Sequence, residues 1–246
     1  GIALYPDDGD DAHRLIKHAN TAMNRAKKIG RDIYRFYTAQ MNADASARQE
    51  LETALREAVE QQAFELFYQP KISLADGCVC GLEALLRWSR PGLGPVSPAV
   101  FVPILETLGL ISEVGSWVIR RVCQQMAEWQ TAGLGPFQVA VNVSGQQIIE
   151  GDLIDSIRQA LIDHRIDPQW LEIELTESSL MENTSHTIAS LQTLQALGIK
   201  VSIDDFGTGY SSLAYLRRFP IDKLKIDIAF IREVTSNPQD AAIART

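Results

Sequence analysis

Cysteine is scarce in this sequence of 246 residues, which has only Cys78, Cys80 and Cys123. That number and spacing make neither a disulfide framework nor a zinc site, and they point to a reducing, cytoplasmic setting. No apolar run approaches the roughly 18 residues of a membrane span. No basic stretch followed by an apolar one opens the chain, so no signal peptide is expected. Basic charge is also short, with 23 Lys and Arg against 31 Asp and Glu and a net charge of -8. This balance argues against DNA or RNA as partners, because non-specific nucleic-acid binding rests on basic surface. An anionic ligand stays admissible where local cations or metals offset the background. What is present is a composition 46% hydrophobic and 22% charged, that of a globular chain with one large domain or two small ones.

Two unequal parts follow one another along the chain. Residues 1–6, GIALYP, read as the end of a strand. Asp10 and Asp11 then open a helix in which Leu15, Ile16, Ala19, Ala22, Met23 and Ala26 keep helical spacing, and Gly30 closes it. Residues 33–36, IYRF, read as another short strand, so this piece is a β-α-β unit too small to bury a core alone. Residues 44–62 carry Leu51, Leu55, Ala58 and Val59 on one stripe and predict a linker helix. From Phe64 onward, strands are predicted at 64–69, 79–85, 138–143, 171–176, 200–204 and 223–227. The later ones are separated by crossover-length helical segments, which fits βα units and a parallel sheet.

A parallel sheet covered on both faces should be apolar on both, and these strands are not. Val139, Val141 and Val143 oppose Asn142, and Leu171, Ile173 and Leu175 oppose Glu172, Glu174 and Thr176. Val201 and Ile203 oppose Ser202 and Asp204, while Leu224 and Ile226 oppose Lys225 and Asp227. If the apolar faces pack on helices, then Asn142, Glu174, Asp204, Lys225 and Asp227 share one interior. In a closed βα barrel they lie near the C-terminal strand ends, where barrel sites are built. The alternative is a half-exposed antiparallel sheet with these residues in water, which the long crossovers fit badly.

The stretch KVSIDDFGTGYSSL, residues 200–213, ends an apolar strand in two adjacent acids, and an isolated acid pair drawn out of water is costly. Several carboxylates and an amide oxygen converging on one point suit a hard cation such as Mg²⁺ or Mn²⁺. The four histidines, His13, His18, His164 and His186, lie outside the predicted strands. On this reading Asp204 points inward, Asp205 follows at the strand end, and both reach metal. Gly207 and Gly209 let the loop turn closely over the site. A carboxylate-held metal pair is a standard means of activating water toward a phosphoester. The loop is not a nucleotide P-loop, since no Gly-Lys-Ser/Thr follows.

With GLEALLRW at 81–88, NVS at 142–144, ELTES at 174–178, DDFGTGYSSL at 204–213 and KLKID at 223–227, the chain from about Leu51 resembles the EAL family of bacterial cyclic di-GMP phosphodiesterases. The resemblance implies an α/β fold, a modified TIM (β/α)₈ barrel hydrolysing cyclic di-GMP to linear pGpG with two Mg²⁺ or Mn²⁺ ions, Ca²⁺ being inhibitory. By the same resemblance Glu83, Asn142, Glu174 and Asp204 ligate metal and Asp205 completes the second ion's shell. Lys225 positions the attacking water and Asp227 supports that cluster and the substrate. Leu85 and Arg87 contact substrate, with Arg87 on phosphate, and Gln69 lines the guanine pocket. Glu177 fixes the loop 206–213. A homodimer through this domain is implied as well. The other function class is an inactive module that binds cyclic di-GMP or a protein partner as a sensor, but such members usually lack a metal ligand, and every ligand within this sequence is intact.

Residues 1–40 resemble the last part of a GGDEF (diguanylate cyclase-like) domain without its signature loop, the alternative being a private N-terminal extension. Residues 41–62 are then the linker helix and 63–246 the barrel. Only six barrel strands are predicted where eight are needed. A further metal-binding glutamate and a substrate-binding glutamine of the family fall on segments not among these residues, so the expectation is a fragment of a longer protein, with Asn237-Pro238 opening its next helix.

Overall fold

The computed structural model describes residues 1–30, 32–150, 152–181, 184–207, 217–232 and 234–236. Its contacts divide the chain into two compact units, Gly1–Glu57 and Ala58–Thr246.

In the first unit, helix α1 (Ala12–Ile29) begins where the Asp11 carboxylate accepts from Arg14 N. This cap satisfies one of the first-turn amides that a helix leaves without a partner. The predicted flanking strands reduce to one parallel bridge between Ile2 and Phe36. Helix α2 (Ala39–Glu60) starts five residues before the predicted linker helix and runs past the division between the units.

The second unit is built on one sheet. Its strands are β1 (Phe64–Ile72), β2 (Val79–Arg90), β3 (Gly94–Val96), β4 (Val139–Asn142), β5 (Leu171–Thr176), β6 (Lys200–Phe206) and β7 (Lys223–Ile226). The order is β1-β2-β4-β5-β6-β7, with β3 beside β2. All pairings from β2-β4 to β6-β7 are parallel. The β1-β2 pair is an antiparallel hairpin that places Gln69 opposite Glu83 and Phe67 opposite Leu85.

Helices cover the outer face. In α4 (Ile111–Thr131) the buried Val114, Val118, Val122, Cys123 and Met126 recur every three or four residues, an apolar stripe facing the sheet. After the short α5 (Gly145–Glu150), helix α6 (Asp152–His164) does the same with Leu153, Ile157, Ala160 and Leu161. Helix α4 lies on β4 and α8 (Thr184–Ala196) on β6, with α6 touching both helices. Beneath them Val139, Val141, Leu171, Ile173, Leu175, Val201 and Ile203 are buried, as the alternation predicts. Each such side chain contributes about 1.5–3 kcal/mol of burial. At one end Phe64, Trp88, Phe101 and Trp117 cluster with ring centroids 5.8–6.5 Å apart and pin the hairpin to α3 (Pro98–Thr107) and α4.

The sheet is strongly curled. Strands β2 and β7 are four pairings apart, about 19 Å on a flat sheet at about 4.8 Å per strand. Yet Lys225 of β7 meets Glu83 of β2 at 3.2 Å. Side chains standing parallel on a flat sheet could not do this, so the inner face closes into a trough. One expectation needs correction here. Leu224 and Ile226 are exposed rather than packed on helices, because β7 is the sheet edge among the described residues. Strands β1 and β7 are not paired there, so the described sheet is open, as six strands of a larger barrel would be. The predicted helix at Asn237-Pro238 and most of the loop 206–213, with Gly209, lie outside the described residues.

Candidate functional site

Alternation along six strands fills the trough. Gln69 and Lys71 come from β1, Glu83, Leu85 and Arg87 from β2, and Asn142 from β4. Glu172 and Glu174 come from β5, Asp204 from β6, and Lys223 and Lys225 from β7. The upper group brings together part of the expected set. Glu83, Glu174 and Asp204 each bring a carboxylate oxygen within 4.8 Å of the others. The Lys225 ammonium sits among them, 2.6 Å from Glu174 Oε2, 3.1 Å from Asp204 Oδ2 and 3.2 Å from Glu83 Oε2. Asn142 Nδ2 donates to Glu83 Oε1 at 2.8 Å and fixes that carboxylate from the side.

The electrostatics follow from burial and pairing. Burial pushes the Glu174 pKa up more than the hydrogen bonds and charges of Lys225 and Lys71 pull it down, so it lies above the ordinary glutamate value. Burial alone would lower the Lys225 pKa. The hydrogen bonds and charges of Glu174, Asp204 and Glu83 outweigh it, and the ammonium is held strongly protonated.

Asp205 is not brought into this cluster. It sits at φ 53, in the left-handed region that Asp tolerates better than most residues. Its side chain turns toward Asp227, and burial together with the charges of Asp204 and Asp227 raises its pKa. Asp227 also accepts from Ala229 N at 2.6 Å, capping the helical turn Ile228–Arg232. Glu177, buried at the start of α7 (Glu177–Met181), accepts from Gly207 N at 2.9 Å and so holds the residue that follows β6. Gly207 has φ +102, and a Cβ there would stand 2.7 Å from Phe230 Cε2. Glycine is required on both counts.

Arg87 lies 5.7 Å from the centre of the Phe67 ring, in cation-π range, and donates from Nη1 to Leu86 O at 2.9 Å. With Leu85, Asn142 and Thr176 it borders a cleft of about 290 Å³ that runs between the sheet and the helices α3 and α4, where Val102, Val114 and Val118 line it and the Glu83, Glu174 and Asp204 cluster does not. That volume is near the lower end of small-molecule sites. Gln69 is exposed, directly across from Glu83.

A lower ionic group was not foreseen from the sequence. Lys71 Nζ lies 2.6 Å from Glu174 Oε1 and 3.4 Å from Glu172 Oε1. Lys223 Nζ meets Glu172 Oε2 and Gln138 Oε1, each at 2.6 Å. Glu172 and Glu174 are 1% and 0% exposed. The signal for Lys71 was its period-two spacing from Gln69 within FYQPKI, which puts both on the inner face.

Carboxylates gathered at the C-terminal ends of a curled parallel sheet, covered outside by helices, define the class of TIM-barrel-like folds. A family model, EAL domain, matches residues 52–246, and the chain belongs to that family. It is 44% identical over 243 residues to the bifunctional diguanylate cyclase/cyclic di-GMP phosphodiesterase MucR of Pseudomonas aeruginosa, covering 99% of this chain and 36% of that protein. It is 40% identical over 245 residues to the cyclic di-GMP phosphodiesterase PdeR of Escherichia coli, covering 100% of this chain and 37% of that protein. The chain thus spans about a third of these curated relatives. Among solved structures, a PaMucR phosphodiesterase in complex with c-di-GMP superposes with a TM-score of 0.74 at 44% identity, covering 79% of this chain and 78% of that one. The EAL enzyme Bd1971, in its cAMP and cyclic-di-GMP bound form, gives a TM-score of 0.76 at 30% identity, covering 96% and 62%.

Proposed function

We propose that this chain is the phosphodiesterase module of a GGDEF–EAL signalling protein and hydrolyses cyclic di-GMP to linear pGpG. The observation that carries the reading is the meeting of Glu83, Glu174 and Asp204 around a cation, here the Lys225 ammonium. Three carboxylates with an amide beside them form an all-oxygen donor set suited to Mg²⁺ or Mn²⁺, and the position already attracts positive charge. The residues therefore fit the two divalent ions that the family uses. Glu83, Asn142, Glu174 and Asp204 would hold them, with Asp205 reaching in by a turn of its side chain away from Asp227. Once bound, such ions supply Lewis-acid stabilisation of the phosphate and a more acidic attacking water.

The chain's own groups do the rest. Arg87 binds a phosphate oxygen, while Leu85 packs on the substrate and Gln69 meets a guanine edge. Lys225 donates a hydrogen bond to the water that attacks phosphorus, and Asp227 binds on the other side. A P–O bond to water forms as one P–O3′ bond of the ring breaks; the water gives up a proton to solvent, and O3′ takes one up and leaves as a hydroxyl. Glu177 keeps Gly207, and so the start of the loop, in place over the site. Residues 1–40 belong on this reading to the C-terminal part of a GGDEF-like domain, 41–62 to the linker helix, and 63–246 to the barrel, which pairs as a cytoplasmic homodimer. No helix among the described residues is long and apolar enough to cross a membrane.

The test is incubation of the full-length protein with cyclic di-GMP and Mn²⁺, followed by chromatography. Linear pGpG, absent when Ca²⁺ replaces Mn²⁺, is expected. Tight binding of cyclic di-GMP with no product at any Mn²⁺ concentration would overturn hydrolysis in favour of sensing.

A further inference from the structure

Glu174 is fully buried, and a lysine stands at each of its two oxygens: Lys225 at Oε2 and Lys71 at Oε1, each at 2.6 Å. The two lysines are not equivalent. Lys225 also touches Glu83 and Asp204, so it sits where a divalent ion would be held, and a cation arriving there displaces its ammonium by repulsion. Lys71 stands on the opposite side of Glu174, away from those two acids. It is secured from below by Glu172, whose other oxygen is held by Lys223, itself bonded to Gln138. Four carboxylates and three ammonium groups thus form one connected lattice from β1, β2, β5, β6 and β7.

We propose that Lys71 is a positioning residue for the metal site, one that clamps Glu174 Oε1 so that Oε2 faces the cluster whether or not Lys225 is there. The inference rests on the proposed function, since it takes Glu174 as a metal ligand. Its physical basis is geometric. A buried glutamate with one free oxygen can rotate about its last side-chain torsion, which is broad and soft. A short charge-assisted bond at one oxygen fixes both. Outer partners of this kind typically contribute about 10–100-fold to metal affinity. Lys223 is the built-in control: it is a lysine in the same lattice, with the same charge, that touches Glu172 but makes no bond to Glu174.

The experiment measures Mn²⁺ uptake directly, from the electron paramagnetic resonance signal of free Mn²⁺, in wild type, Lys71→Met, Lys71→Arg and Lys223→Met. Lys71→Met is expected to weaken binding by about tenfold or more. Lys71→Arg should restore most of it, and Lys223→Met should stay much closer to wild type. Should a methionine variant not fold, Lys71→Gln and Lys223→Gln are compared in the same way. Equal weakening by the Lys71 and Lys223 substitutions would overturn the positioning role, as would unchanged binding in Lys71→Met beside a wild type that takes up Mn²⁺. A wild type that takes up no Mn²⁺ overturns the proposed function itself, and the inference falls with it.

Discussion

Lys225 shows how one side chain can report on a site. An ammonium with three carboxylate contacts inside a curled sheet is stable only because the acids around it would otherwise repel one another. Asp204 is the most exposed of the three acids, at 22%, and its Oδ1 also accepts from Asp205 N. Asp204→Asn is therefore expected to leave the fold intact and to lower Mn²⁺-dependent hydrolysis of cyclic di-GMP by about two orders of magnitude or more, the loss of several kcal/mol of metal-assisted stabilisation. Turnover assays beside thermal melts check both halves, and wild-type turnover in the variant would remove Asp204 from the site. Arg87 and Glu83, two places apart on one strand face, should separate differently. With Ca²⁺ present to permit binding without chemistry, calorimetry should show Arg87→Ala weakening cyclic di-GMP by ~1.5–3 kcal/mol, as expected for one charge-assisted contact. Glu83→Ala should chiefly abolish turnover. Equal losses of affinity would contradict the separate roles.

At the scale of elements, the junction of β6 with its loop is where sequence and geometry constrain each other most tightly. Gly207 is fixed by its positive φ, by Phe230 against its Cα, and by Glu177 on its amide. Gly207→Ala should destabilise the chain by about 1–3 kcal/mol in urea titrations, since the new Cβ is strained at the positive φ and the Phe230 ring must move. Glu177→Ala should raise hydrogen exchange at the end of β6 and reduce hydrolysis while sparing exchange in β4 and β5. Unchanged exchange would reject its hold on the loop. The strands themselves were legible because period-two alternation survives burial, as in β5, where Leu171, Ile173 and Leu175 face helices and Glu172 and Glu174 face inward. Three features were not. The antiparallel sense of β1 against β2 is set by a short hairpin rather than a crossover, and alternation alone carries no direction. Asp205 was expected to reach metal with Asp204 because it follows at the strand end, but its left-handed backbone turns it to Asp227 instead. The lattice through Lys71, Glu172 and Lys223 joins residues from β1, β5 and β7, and such partners become visible only once the strand order and the curl are known.

For the whole molecule, that lattice couples stability to pH through groups of opposite sign. Burial would raise the Glu172 pKa, but the hydrogen bond from Lys223 and the charges of Lys71 and Lys223 outweigh it and hold it below the ordinary glutamate value of 4.5. A depressed carboxyl contributes stability that is present above its unfolded value and lost as pH falls through the folded one. Glu174 acts in the opposite sense: its pKa is raised, so its ionised form costs stability above the raised value, and that cost fades on acidification. The wild-type profile mixes the two, and a difference against Glu172→Gln isolates the first. At neutral pH the variant should be less stable by about 1–2 kcal/mol, because Lys223, itself partly in water, loses its charged partner, and Lys71 keeps Glu174. As pH is lowered past the ordinary glutamate value toward the depressed one, wild type loses the same interaction by protonation and the two should converge. Urea unfolding of both proteins at a series of pH values reads the gap directly. A gap that stays constant through the acid range would mean that Glu172 does not act as an ionised partner in the folded chain.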